Sequence, residues 1–258
     1  MQASSVMSSQ AAVTERERAA RGAQRVPTGA MVGVMVGGAA AVLAAFALQR
    51  GLALGNDVVW RAAVGVLVGG TLILTMTAQH LRARSFGIAN GVTLVRAALT
   101  VLLAALIGAP DSEAFGWALV AIAVVAVALD GVDGWLARRH NEATTFGARF
   151  DMETDALLIL VLAALVWQLD KAGVWILAAG LLRYAFVLAS YPLPWMERAL
   201  PPSRRRQAVC VLQMVSLIGA LLPGVPWLWS SGIALAGLVL LATSFAIDVV
   251  WLARRARV

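Results

Sequence analysis

Apolar residues run along this chain in long blocks separated by short polar turns. Eight blocks can be drawn: Thr28 to Leu48, Val58 to Ala78, Gly91 to Gly108, Phe115 to Arg138, Phe146 to Leu169, Val174 to Tyr191, Gln207 to Leu222 and Trp227 to Ala253. Most approach the roughly 20 residues that an α-helix needs to cross the hydrocarbon core of a bilayer. The pattern predicts an all-α polytopic transmembrane helical bundle of eight crossings. The first two blocks carry Gly-xxx-Gly spacings, Gly33 with Gly37 and Gly65 with Gly69, which let helix backbones approach closely, within the chain or across a dimer seam.

Composition supports the same class. Apolar residues make up 60% of the 258 residues and charged ones 14%, where soluble domains carry about 25%. The net charge of +7 does not point to nucleic acid, because the arginines gather at the ends of apolar blocks rather than among stacking aromatics on a folded face. They report topology instead. The N-terminal tail (Arg16, Arg18, Arg21, Arg25), the turn at Arg82 and Arg84, the loop of Arg138, Arg139 and Arg149, the segment from Arg198 to Arg206 and the C-terminal Arg254, Arg255 and Arg257 fall on one side. Only Arg50, Arg61 and Lys171 fall on the other. By the positive-inside rule the first side is cytoplasmic and holds both termini. Residues 1–27 then read as a flexible cytoplasmic tail and not a cleaved leader, since the block that follows is nearer spanning length than the h-region of about 7–15 residues in a signal peptide. Tryptophans near predicted helix ends, Trp60, Trp117, Trp175, Trp195, Trp227, Trp229 and Trp251, suit the interface. His80 and His140 fall in polar turns and receive no role. The one cysteine, Cys210, excludes an internal disulfide and reads as a small buried hydrophobe.

One stretch does not suit a lipid-facing helix. From Asp130 to Asp155 the chain reads DGVDGWLARRHNEATTFGARFDMETD. Asp130 and Asp133 are three apart and Asp151 and Asp155 four apart, so each pair projects from one helix face. The polar segment from Arg139 to Phe146 can turn the chain so that the two pairs face each other. Carboxylates grouped near hydrocarbon must be paired, metal-bound or open to water, and four together repel unless a cation lies among them. A salt-bridge network with Arg138, Arg139 and Arg149 is the plainer alternative. An all-oxygen donor set suits Mg²⁺ or Mn²⁺, with Ca²⁺ also compatible, rather than zinc or copper. Arg138, on the same helix end as Gly134 and Ala137, offers a fork for phosphate oxygens, and phosphoryl transfer with two metals follows. Glu153 points to another face and reads as a surface partner of Arg149.

Asp130-x2-Asp133-Gly134-x2-Ala137-Arg138-x8-Gly147-x3-Asp151-x3-Asp155 resembles the full signature of the CDP-alcohol phosphotransferase family. Upstream, Asn90-x2-Thr93-x2-Arg96 resembles that family's first core helix. The resemblance covers a six-helix catalytic core over 86–253 and leaves a pair of N-terminal transmembrane helices, 28–79, outside it. It implies an integral-membrane enzyme of phospholipid synthesis that transfers a phosphatidyl group from CDP-diacylglycerol to the hydroxyl of a small alcohol and releases CMP. It implies that Asp130, Asp133, Asp151 and Asp155 hold the metals, Asp155 acting also as general base. Asn90, Thr93, Gly134, Ala137, Arg138 and Gly147 would bind the CDP moiety, and a homodimer is expected on the same ground.

Glycerol 3-phosphate and inositol phosphate are the favoured acceptors, and a phosphate on the acceptor calls for cations. Arg183, alone inside an apolar helix, is the first candidate; Arg204 and Arg205, with Arg206, are the next, against their reading as a topology and headgroup patch. Ala89 and Ala156 stand where glycerol 3-phosphate enzymes of the family tend to have Pro and a basic residue, which leaves the acceptor open. The rival readings are a divalent-cation transporter and a catalytically inactive scaffold. Against the transporter, the acids lie in one short stretch, with Asp248 an outlier expected to snorkel to the interface.

Overall fold

The computed structural model describes residues 26–80, 86–139, 144–198, 200–201 and 203–256. The N-terminal tail through Arg25, with Arg82, Arg84 and His140, lies outside the described residues, as do the side chains of His80, Ala137 and Arg138. Among the described residues there are eight α-helices and no strand: α1 (Thr28–Gly51), α2 (Asp57–His80), α3 (Ile88–Ala105), α4 (Glu113–Arg139), α5 (Thr145–Gln168), α6 (Leu177–Ser190, entered through a 3₁₀ turn at Val174–Ile176), α7 (Arg204–Leu221) and α8 (Trp227–Ala256). Each apolar block of the sequence is one of these helices. Five are long and apolar enough to cross a membrane, namely α1, α2, α3, α4 and α8. The other three are α5, with its acidic first half, α6, which is shorter, and α7, which opens on three arginines.

α3 is the hub, packed on α1, α2, α4 and α5. Its entry depends on Gly87, whose φ of 76° lies in the left-handed region that glycine alone enters without strain. Gly33, Gly37, Gly65 and Gly69 face α3. A Cβ on Gly33 would come within 2.6 Å of Leu94, and one on Gly65 within 2.7 Å of Val101. Both Gly-xxx-Gly spacings therefore seat the N-terminal pair on the core within one chain. The outer faces of the same helices leave large apolar side chains uncovered, with Met35 72% and Leu67 69% exposed, which is the arrangement of a helix surrounded by hydrocarbon. Trp60, Trp117, Trp227 and Trp229 are exposed as well.

The end of the bundle remote from the acidic stretch is tied by side chains that close open helix termini. Arg61 pairs with Asp57 and donates to the Ile107 carbonyl at the end of α3. Gln168 accepts from the Gly108 amide at 2.6 Å and donates to the Ala109 carbonyl at 3.1 Å. Lys171 donates to the Leu222 and Val225 carbonyls at 3.3 and 3.0 Å, joining the exit of α5 to the α7–α8 turn. Two of the three cations on the sparsely charged side are thus used as caps.

Candidate active site

Four aspartates from two helices meet around one guanidinium. Asp130 and Asp133 come from α4, Asp151 and Asp155 from α5, and Arg96 from the middle of α3, about 12 Å along that helix from its start at Ile88. Arg96 has no exposed side-chain surface. Its two terminal nitrogens reach Asp130 Oδ1 at 2.9 Å, Asp133 Oδ2 at 2.8 Å and Asp151 Oδ1 at 2.6 Å, and pair also with Asp155 Oδ1. A single positive charge faces four carboxylates.

The two acid-bearing helices are not a closely packed pair: each packs on α3 and on α7. The carboxylates do face each other, as their spacing predicts, but across an arginine contributed by a third helix. Like charges on directly packed helices would repel, and the guanidinium relieves this. Neither sequence motif makes that role visible, because the Arg96 contacts span between 34 and 59 residues.

The neighbours complete the walls. Thr93, one turn before Arg96, places its hydroxyl 3.0 Å from Asp133 Oδ2 and 3.2 Å from the Ala89 carbonyl. Asn90 is buried and donates to the Phe86 carbonyl at 2.5 Å. Gly147 follows the capping residue of α5, Thr144, whose hydroxyl accepts from the Gly147 amide at 2.9 Å. A Cβ on Gly147 would lie 2.8 Å from Asn90 Oδ1 and 3.1 Å from Thr144 Oγ1. This position is glycine because the two helices touch there, and Asn90 and Gly147 stand on one wall. On the opposite side the thiol of Cys210, from α7, lies 3.8 Å from Asp155 Oδ2, so the residue read as a bland hydrophobe borders the site. Gly134 is half-buried one residue beyond Asp133.

Openness differs among the acids. The Asp133 side chain is 5% exposed and that of Asp151 41%, so Asp151 marks the way out to solvent. Carboxylate oxygens of Asp130, Asp151 and Asp155 lie within 4.8 Å of one another. Such a set, in charge excess and all oxygen, fits a hard divalent cation.

The candidate phosphate-binding arginines lie elsewhere. Arg183 on α6 pairs with Glu153, Nε and one terminal nitrogen donating to the two carboxylate oxygens, rather than with a site carboxylate. Glu153, read from the sequence as a partner of Arg149, thereby pairs with a half-buried arginine of another helix. Arg205 donates to the Ser244 carbonyl at 2.8 Å, to its hydroxyl at 2.9 Å and to Asp248 at 2.5 Å; Arg206 reaches the same carboxylate at 3.5 Å. Asp248 is buried at 8% exposure and does not snorkel: two arginines of α7 neutralise it in place. Arg204 is exposed.

The model of the CDP-alcohol phosphatidyltransferase family matches residues 86–250. The chain belongs to this family. CDP-alcohol phosphatidyltransferases similar to it include a cardiolipin synthase (CMP-forming) of Streptomyces coelicolor, 38% identical over 82 residues, which are 31% of this chain and 36% of that protein. A CDP-diacylglycerol–inositol 3-phosphatidyltransferase of Arabidopsis thaliana is 45% identical over 42 residues, 16% of this chain and 18% of that protein. A CDP-diacylglycerol–glycerol-3-phosphate 3-phosphatidyltransferase of Pseudomonas fluorescens is 30% identical over 144 residues, 51% of this chain and 71% of that protein. The first two matches thus span much less than two thirds of those relatives' length. No solved structure matches the chain. As a phosphatidyltransferase-family chain with five helices long and apolar enough to cross a bilayer, it is an integral membrane protein. The family match leaves α1 and α2 outside it.

Proposed function

We propose that this protein transfers a phosphatidyl group from CDP-diacylglycerol to the hydroxyl of a small alcohol, releasing CMP, at the cytoplasmic face of the membrane. The observation that carries the reading is the convergence of Asp130, Asp133, Asp151 and Asp155 on one partly open site. These four carboxylates would hold Mg²⁺ or Mn²⁺. When bound, such ions polarise phosphoryl oxygens and balance the charge of the departing phosphate.

In the reaction, the acceptor oxygen bonds to the phosphorus that bears diacylglycerol, the bond from that phosphorus to the bridging oxygen breaks, and CMP leaves with the bond's electron pair. Asp155 takes the hydroxyl proton. Its carboxylate is well suited to this, being shielded from bulk water yet beside the open Asp151. Asn90, Thr93 and Gly147, with Gly134, Ala137 and Arg138 at the end of α4, would line the cytidine and pyrophosphate seat. The missing side chain of Gly147 lets Asn90 sit against the start of α5 on that wall.

For the acceptor we favour a phosphorylated alcohol, glycerol 3-phosphate or inositol phosphate. Arg206 lies one helical turn before Cys210 on α7, and Cys210 touches Asp155. An anionic group on the acceptor would therefore meet the Arg204–Arg206 cluster within one or two turns of the base. Arg183 is balanced one to one by Glu153, whereas Arg205 and Arg206 share the single carboxylate of Asp248, so Arg183 is the weaker candidate for that role. The test is product identification by mass spectrometry after incubating the purified protein with CDP-diacylglycerol, Mn²⁺ and, separately, glycerol 3-phosphate, inositol phosphate, inositol and serine. A phosphorylated lipid product from one of the first two is expected. Turnover with inositol or serine alone would overturn the acceptor assignment.

A further inference from the structure

Arg96 is more than another wall residue. A structural arginine sealed from water normally satisfies all its N–H groups, yet Arg96 Nε is buried without a hydrogen-bond partner. All its bonding runs through the two terminal nitrogens, and these hold Oδ1 of Asp130, Asp151 and Asp155, three acids whose carboxylates gather within 4.8 Å of one another. A divalent cation bound by those acids would lie beside the guanidinium and compete with it for the same carboxylates. Arginine does not shed its proton to make way, so exchange between the two has to be a movement of the side chain.

We propose that Arg96 is the resident counter-cation of the carboxylate cluster: it gathers the four aspartates when no divalent ion is bound and surrenders their oxygens as one binds. The inference rests on the reading that this cluster takes divalent cations. It assigns Arg96 a positioning role with two consequences. Without the arginine, the four carboxylates would face each other unscreened, and the metal-free protein would be less stable. By linkage, the cation that competes with Arg96 binds more weakly while the arginine is present.

Both consequences can be measured without turnover, on full-length protein in detergent. Thermal melting of wild type, Arg96→Gln and Arg96→Lys is followed in EDTA and in Mn²⁺, and Mn²⁺ affinity is read from the electron paramagnetic resonance signal of the free ion. Arg96→Gln is expected to melt below wild type in EDTA, to recover most of that gap in Mn²⁺, and to bind Mn²⁺ tighter by on the order of tenfold or more, since a unit charge close by is removed. Arg96→Lys keeps the charge but loses the fork that spans several acids. It should fall between the two, and it carries the test if Arg96→Gln does not fold. An equal loss of melting temperature with and without Mn²⁺, or an affinity unchanged or weakened in either variant while wild type binds the ion, overturns this inference alone. Absence of Mn²⁺ binding in wild type and variants alike overturns it together with the cation reading of the site.

Discussion

At the scale of single residues, spacing and contact carry different information. The three-residue and four-residue separations within the acidic stretch fix which face of a helix each carboxylate takes, and all four do converge. Gly147 is a sharper case, because its place in the motif has a steric cause: a methyl group there would stand 2.8 Å from Asn90 Oδ1. Gly147→Ala is therefore expected to push Asn90 out of its bond to the Phe86 carbonyl, raising KM for the CDP-linked donor about tenfold or more while the protein stays folded. That corresponds to roughly 1.4 kcal/mol of lost binding. Steady-state kinetics with melting as a control measures both, and an unchanged KM would remove Asn90 and Gly147 from the donor seat. What the motif does not reveal is the partner of a charge. Arg96 appears in the sequence as the last letter of a helix pattern, and Glu153 and Arg183 as unrelated surface and core residues. Their pairing depends on which helices lie side by side, a tertiary fact to which local spacing is blind.

At the scale of helices, the boundaries follow from the apolar blocks to within a few residues, since polar turns interrupt them on both sides. The docking of α1 and α2 on the core was foreshadowed by Gly-xxx-Gly, although that spacing does not name the surface it meets. Small residues are required where helix α1 crosses α2 and α3. A Cβ on Gly38 would fall 2.5 Å from Val66, and one on Gly70 2.8 Å from Val34. Gly38→Leu should force these helices apart at a cost of about 1–3 kcal/mol, the usual range for overpacking, and lower the melting temperature. The equivalent change at Gly51, where a Cβ meets nothing within 4 Å, should leave it nearly unchanged. Equal melting of the two variants would contradict the packing described for the N-terminal pair. The arginine trio at the start of α7 shows the limit of pattern reading at this scale. Positive charge at a helix end reads as a topology signal, but Arg205 and Arg206 also hold the buried Asp248 of α8.

For the whole molecule, an apolar chain with its acids in one stretch and its arginines at block ends reads as a membrane enzyme with one polar centre. The bundle organises that reading around α3. Its N-terminal half supplies Asn90, Thr93 and Arg96 to the site, and its C-terminal end is closed by Arg61 and Gln168. Phosphatidyl transfer at the carboxylate cluster with an Asp155 base, as proposed, is tested most directly by CMP release. Purified wild type and Asp155→Asn are compared with CDP-diacylglycerol and the four alcohols pooled, in Mn²⁺ and in EDTA. CMP should form only with wild type in Mn²⁺, and the variant, though folded, should be slower by at least the roughly 10²–10⁴-fold that a positioned base contributes. Near-normal CMP release by Asp155→Asn, or release undiminished in EDTA, would contradict the account.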